Sequence, residues 1–368
     1  VPFKDYVNDI KPYVAQAPVE RLQSELGIAK IHKLASNEGA FGPVPAAAAA
    51  ISHEYDLDEL RRYPDSAAPE LRAKIASLNG LAAENVVLGN GADELIRLAA
   101  MTVLEGGDNG IFPWPSFPTY VSACVTTGAE ARPINLTGDW QIDFEALRAA
   151  VFPSTRIVFI CNPNNPTGLL APREVVRELV ASLPPHVLCV LDEAYAEYAE
   201  GDDEPEGPQL IREGATNLLV LRTFSKVYGL AGLRIGYGFG SPEVVAAVDR
   251  MRSIFNINAL AQRAALASLD EQAEVWRRVE HVKQSRTQIL KYLSLAGHKP
   301  LASRTNFVFA EAAAGNGADV EKRLLRLGVA VRELSGFGAP GAFRVTCGND
   351  EENAFFGAAI DRLANTSA

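Results

Sequence analysis

The chain has 368 residues, of which 48% are hydrophobic and 22% charged, with a formal net charge of −10. That length exceeds one small core and implies a large domain plus a smaller one, in a composition ordinary for a soluble globular enzyme. The acidic balance, with no basic stripe, argues against a nucleic-acid partner, and no apolar run approaches the roughly 20 residues of a membrane span.

Residues 1–12 are polar and broken by prolines, unlike a secretory signal. The first thirty residues are expected to form an arm, with an amphipathic stretch from Val19 to Leu26. Ile31 to Gly39 (IHKLASNEG) is a short strand running into a turn, and Ala46–Ala50 continues a helix after Pro45. Helical spacing appears at Ala68–Leu78 and at Ala92–Leu104. Arg156–Cys161, Val187–Leu191 and Asn217–Leu221 are continuous apolar runs, separated by helical segments such as Pro172–Leu183. Short strands without polar alternation, spaced by helices, predict a parallel sheet covered on both faces. Arg234–Gly240 adds a strand with glycines where another backbone can approach. From Pro242 a long helical region runs through Arg250 towards Leu295. Pro300–Ala310, Val329–Glu333 and Ala342–Thr346 follow as strands, and Glu351–Leu363 as a terminal helix, giving a separate α+β lobe.

Cys124, Cys161, Cys189 and Cys347 are scattered and form no C-x-x-C pair, which fits a reducing cytoplasm. The histidines are isolated, and no ligand spacing for a metal is present.

The unusual polar strings all lie just after predicted strands, where open parallel sheets bind ligands. Val86-Val87-Leu88 leads into Gly89-Asn90-Gly91-Ala92-Asp93-Glu94 and a helix. This reads either as an anion site at a helix N-terminus or as a tight turn capped by Asp93. Asn162 to Gly168 (NPNNPTG) is a turn stiffened by two prolines, with Asn165 as a candidate donor. Asp192-Glu193-Ala194-Tyr195 ends a buried strand on a carboxylate, which needs a cationic partner; a structural cap or magnesium ligand is the plainer alternative. Thr223-Phe224-Ser225-Lys226-Val227-Tyr228-Gly229, with Arg234 beyond, carries the most information. A buried lysine loses its charge more easily than a surface one, and its neutral amine attacks aldehydes. Thr223, Ser225 and Arg234 suit a phosphate dianion. Taken together, the four strings describe a pyridoxal phosphate site.

These strings, with Lys33-Leu34-Ala35-Ser36-Asn37-Glu38, Arg62-Tyr63-Pro64-Asp65 and the late Ser335 to Gly348 (SGFGAPGAFRVTCG), resemble the fold type I aminotransferases, classes I and II. The resemblance is closest to their histidinol-phosphate aminotransferase branch. It implies an α/β fold: a large domain with a mostly parallel seven-stranded sheet between helices, plus a smaller α+β C-terminal domain. The expected division is arm 1–30, large domain 31–255 and small domain 256–368, paired in a homodimer with shared active sites. By position, Lys226 matches the Schiff-base lysine and proton shuttle, Asp192 the partner of the pyridine nitrogen, and Asn165 and Tyr195 the groups on the ring oxygen. Ala92, Asp93, Thr223, Ser225 and Arg234 match the phosphate cup, Phe117 the stacking aromatic, and Tyr63 a residue reaching the neighbouring subunit's phosphate. Arg344 matches the arginine that holds the substrate's carboxylate or phosphate, with Arg332 and Tyr13 at the same end. The implied activity is transamination between an amino donor and an oxo acid: histidinol phosphate with 2-oxoglutarate. An aromatic amino acid aminotransferase, a threonine-phosphate decarboxylase and a non-catalytic cofactor-binding regulator are the alternatives. The chain departs from the family at Gly39-Ala40, usually Asn-Pro, and in the proline-rich Pro113 to Pro118.

Overall fold

The computed structural model describes residues 3–10, 18–52, 56–199, 201 and 204–365. Its strands are β1 (His32–Lys33), β2 (Val86–Gly89), β3 (Asn109–Trp114), β4 (Glu130–Asn135), β5 (Thr155–Cys161), β6 (Leu188–Asp192), β7 (Leu218–Thr223) and β8 (Gly236–Gly240), then β9 (Lys299–Pro300), β10 (Phe307–Glu311), β11 (Val329–Ala330), β12 (Arg332–Glu333) and β13 (Ala342–Thr346). Seven of them form one sheet in the order β2-β8-β7-β6-β5-β3-β4, in which β8 alone runs antiparallel to its neighbours.

The central strands are apolar throughout because both faces are covered. On β5, Val158 and Ile160 pack into the core on one side, while Ile157, Phe159 and Cys161 pack on the other. The same alternation holds for Cys189 and Leu191 against Leu188 and Val190, and for Leu218 and Val220 against Leu219 and Leu221. Each such side chain contributes about 1.5–3 kcal/mol of burial, so no register shift is tolerated.

The predicted helical region after Pro242 is three helices, Pro242–Arg250, Ala259–Ser268 and Gln272–Leu295. The first break contains Phe255, whose φ of +57° cannot continue a helix, and Asn258, whose side chain caps the next one by accepting from Ala261 N at 2.8 Å. Val329–Glu333, expected as one strand, serves two sheets: β11 pairs with β1, and β12 with β13. Pro300–Ala310 likewise divides into β9 and β10, joined through Leu301–Asn306. β10, β13, β12 and β9 make a four-stranded antiparallel sheet, contacted by the helices Gln272–Leu295 and Gly317–Arg326. Strands β3 and β4 gave no clear sequence signal: both contain a proline, and β4 is also an exposed sheet edge without apolar alternation.

The chain leaves β3 towards β4 on one side and leaves β5 towards β6 on the other. That reversal opens a crevice at the carboxyl ends of the strands. No helix of the described residues is long and apolar enough to cross a membrane.

Candidate active site

A cavity of about 360 Å³ lies there, its floor formed by the last residues of β5, β6 and β7: Cys161, Asp192 and Thr223. This volume is in the range of small-molecule sites.

Lys226 enters the cavity from the turn after β7, and its Nζ donates to the Asn37 carbonyl at 2.9 Å. Burial, reinforced by the Arg344 guanidinium and opposed by Glu38, lowers its pKa to about 8. An amine of that kind is available both as a nucleophile and as a base near neutrality.

Asp192 and Glu193 point to opposite faces, as successive strand residues must. Glu193 is fully buried away from the cavity, where its Oε2 accepts from Arg222 Nη2 at 2.8 Å and its Oε1 from Gly207 N at 2.8 Å. Asp192 faces the cavity. Its Oδ2 accepts from Tyr120 Oη at 2.8 Å and its Oδ1 from Ala194 N at 3.1 Å. Burial raises its pKa to about 6, with those two donors pulling the other way. A carboxylate in this position favours a cationic partner.

Beside it the helix Ala92–Val103 opens on Gly91, at φ +78°. A Cβ at Gly91 would run into the Arg234 guanidinium, and one at Gly236 would sit 2.6 Å from Ala92 N. Glycine is therefore required at both positions for the helix start and the arginine to meet. Thr223 Oγ1 donates to Ser225 Oγ at 3.0 Å, and Arg234 Nη1 reaches the same Oγ at 3.4 Å. Asp93 holds the adjoining turn by accepting from Thr119 Oγ1 at 2.5 Å. The free N–H groups at Ala92 and Asp93, two hydroxyls and a guanidinium make a cradle for a dianion.

Asn165 and Tyr195 lie on the wall between this cradle and the C-terminal strands. The Asn165 Oδ1 accepts from Arg344 Nη1, which orients the amide with Nδ2 as its remaining donor. Tyr195 Oη accepts from Asn37 Nδ2 at 3.0 Å, and burial raises its pKa. Phe117 also lines the cavity, edge-on to Tyr120 with centroids 5.9 Å apart. Arg344 and Arg332 close the far end. They are direct cross-strand partners on β13 and β12, an arrangement that costs stability for two like charges. Tyr63 is not in this cavity: it is 81% exposed and stacks on Phe255 with centroids 4.5 Å apart. Tyr13 lies outside the described residues.

A lysine, an acid at a strand tip, an anion cradle and paired arginines thus converge from strings far apart in the chain. The family profile of aminotransferase class I and II matches residues 29–360. This chain belongs to the class I and II aminotransferases. It is 37% identical over 353 residues to the histidinol-phosphate aminotransferase of Moorella thermoacetica, covering 96% of this chain and 90% of that protein. To histidinol-phosphate aminotransferase 1 of Cupriavidus pinatubonensis it is 41% identical over 371 residues, covering 98% and 96%. The crystal structure of the Sinorhizobium meliloti histidinol-phosphate aminotransferase, in complex with pyridoxal-5'-phosphate, superposes with a TM-score of 0.88 at 29% identity, over 100% of this chain and 98% of that one.

Around the cavity of this aminotransferase lie further residues that the sequence did not single out. Tyr120, fully buried and stacked on Phe159 at 4.9 Å, supports Asp192 from 72 positions away. Asn37, at φ +56°, joins Lys226 and Tyr195 to the C-terminal strands: its N donates to Thr346 Oγ1 at 3.0 Å, and its carbonyl also accepts from Asn306 Nδ2 at 3.1 Å. Asparagine tolerates this left-handed backbone, but the sequence alone does not reveal it. The Gly39 departure has a steric reason, since a Cβ there would lie 2.6 Å from the Lys226 carbonyl oxygen. The proline-rich string is tied to the turn after β5, where Ser116 Oγ donates to Asn164 Oδ1 at 2.9 Å.

Proposed function

We propose that this aminotransferase transfers the amino group of L-histidinol phosphate to 2-oxoglutarate, giving imidazole acetol phosphate and L-glutamate, with pyridoxal 5'-phosphate as cofactor. The observation that carries the substrate is the register pairing of Arg332 with Arg344 in the cavity that holds Lys226. Two guanidiniums match a phosphate dianion, whereas one suffices for a carboxylate. Relatives at 37–41% identity bearing that activity in their names support the same reading.

The residues fit the cofactor. The cradle kept open by Gly91 takes its phosphate through Ala92 and Asp93 N–H, Thr223, Ser225 and Arg234. Asp192 would keep the pyridine nitrogen protonated, Asn165 and Tyr195 would serve the ring oxygen, Phe117 would supply an aromatic wall and Lys226 the amine, all of them lining the cavity. When bound, the cofactor supplies an electron sink for the substrate carbon that loses a proton. Lys226 Nζ would take that proton from the substrate's α carbon and hold it for return, while Asn37 O would steady the amine when it is free. Arg344, held by Asn165 and by Ala35 O at 3.2 Å, fixes the anionic end of the substrate so that its α carbon faces Lys226.

Turnover of L-histidinol phosphate with 2-oxoglutarate should exceed that of phenylalanine by orders of magnitude. Equal or greater use of phenylalanine would overturn the phosphate assignment. Arg344→Ala should raise the KM for histidinol phosphate at least a hundredfold, as expected from about 3–5 kcal/mol for one partner lost from a buried charge pair. Arg344→Lys should recover little of it, because the planar fork is gone. An unchanged KM would assign the anion to another group.

We further infer a division into arm 1–30, large domain 31–255 and small domain 256–368, with β1 crossing over to pair with β11 of the small one. The described lobes would assemble as a homodimer in which Tyr63 reaches the partner's cofactor phosphate. The exposed apolar group Leu60, Tyr63, Ile254 and Phe255 supports this. A solution mass of twice the 39.5 kDa chain is expected, with cofactor retention about tenfold weaker in Tyr63→Phe. A monomer with full activity would refute the shared site.

A further inference from the structure

We propose that Phe337 is a specificity-determining positioning residue, whose ring gathers the Arg332 and Arg344 guanidiniums into one anion-binding pair before the phosphate arrives. This rests on the phosphate-substrate reading above.

Side chains of directly opposed residues leave the same face of the sheet, so Arg332 and Arg344 start close together and repel. Arg344 is already anchored by Asn165 Oδ1 and Ala35 O, and a surface that holds the second guanidinium beside it spares an incoming anion the cost of gathering the pair. Phe337 lies against both. The Arg344 Cζ is 5.1 Å from its ring centroid and the Arg332 Cζ 5.9 Å. Phe307 lies 5.0 Å from Arg344, so that guanidinium rests between two rings. The π face of an aromatic ring is electronegative and attracts a cation, most strongly where water is excluded. Phe337 is 4% exposed and Arg344 4% exposed.

The ring is itself immobilised. It ends the tight turn Ser335–Phe337, where Phe337 N donates to Leu334 O at 3.0 Å and Gly338 N to Ser335 O at 3.1 Å. Gly338 sits at φ +91°, and a Cβ there would collide with the Trp114 indole, so the turn closes directly onto the residue ending β3. Phe337 belongs to an apolar cluster with Phe309, Leu334, Ala339 and Ala342, against which Phe117, Trp140 and Leu301 also pack. The ring is therefore a fixed surface shared by the two guanidiniums. A leucine at 337 would keep apolar bulk and lose the electronegative face. A tyrosine would keep both.

The test compares wild-type, Phe337→Leu and Phe337→Tyr holoenzymes. The measurements are the inhibition constant of inorganic phosphate against the glutamate half-reaction, KM and kcat for histidinol phosphate, and the visible spectrum. In Phe337→Leu, phosphate inhibition should weaken and KM should rise, each about tenfold, or ~1.4 kcal/mol. Its kcat should stay within about twofold and its spectrum should be unchanged, with Phe337→Tyr close to wild type, because the loss lies in gathering the ground-state anion. Phosphate binding in Phe337→Leu equal to wild type would overturn the proposal. So would a Phe337→Tyr as weak as Phe337→Leu, or a parallel loss of kcat and of the visible band, which would mark a packing role alone. A wild-type enzyme that neither binds phosphate nor turns over histidinol phosphate would sink the substrate reading and this inference together. A wild-type enzyme that does both, beside an indifferent Phe337→Leu, would sink the inference only.

Discussion

Lys226→Ala loses transamination by at least four orders of magnitude, together with the visible absorbance of the lysine-bound cofactor. Proton transfer by a positioned base is worth roughly 10²–10⁴ in rate, and this variant also loses the attachment that orients the cofactor. Asn37 O and the Tyr195 ring, 5.6 Å from Nζ, offer no substitute base. Activity measured with glutamate and 2-oxoglutarate checks the rate, and a dialysed sample checks the colour. A yellow, active variant would refute the assignment. The apoprotein offers an independent reading through pH. The Lys226 pKa is depressed in the folded state to about 8 from 10.5, so between those values the unfolded chain binds more protons. The lysine's contribution to stability therefore rises with pH from about 8 to 10.5, and its destabilising charge is fully present below about 8. Denaturant titrations of wild type and Lys226→Ala across that window should differ by this slope. Parallel curves would mean that the amine is not desolvated.

Asp192→Asn comes next in size, with kcat expected to fall about 10²–10³-fold, the range found when one preorganised electrostatic group is removed from a transition state. An amide keeps the volume and the bond from Tyr120 but cannot hold a proton on a pyridine nitrogen. KM should change far less than kcat, since Asp192 lies at the floor, away from the proposed anion site at Arg332 and Arg344. In the apoprotein Asp192 is raised to about 6 from 3.8, so the folded state binds the extra proton and the carboxyl's contribution to stability declines as pH rises through that interval. Asp192→Asn should flatten the decline. A variant with wild-type kcat would show that the acid is structural, the role its neighbour Glu193 has with Arg222.

Much of the fold was legible because its central strands are buried on both sides, leaving unbroken apolar runs such as Leu188–Leu191 that no helix periodicity could explain. Boundaries failed where a tertiary partner decided them. Val329–Glu333 looks uniform, yet its two ends bond to different strands, and nothing local records the change at Val331. The helical stretch beyond Pro242 was overextended because the break at Met251–Asn258 carries no proline or glycine. In the cavity, the residues of the strand-end strings are the ones that local sequence marks. Tyr120, Asn37 and Phe337 are not among them, because each acts on a residue that another part of the chain supplies.

By itself the sequence determined the chemistry: an amine in an apolar turn, an acid ending an apolar strand and glycines opening a helix, since each follows from what a residue type costs or permits in its immediate chain neighbourhood. Only the tertiary structure decided which groups work together. It turned Glu193 away from the cavity and Asp192 into it, set Arg332 opposite Arg344, and placed one phenyl ring against both guanidiniums. Electrostatic and aromatic contacts act over a few ångströms, and residues tens to hundreds of positions apart come within that reach only when strand register and lobe packing bring them there.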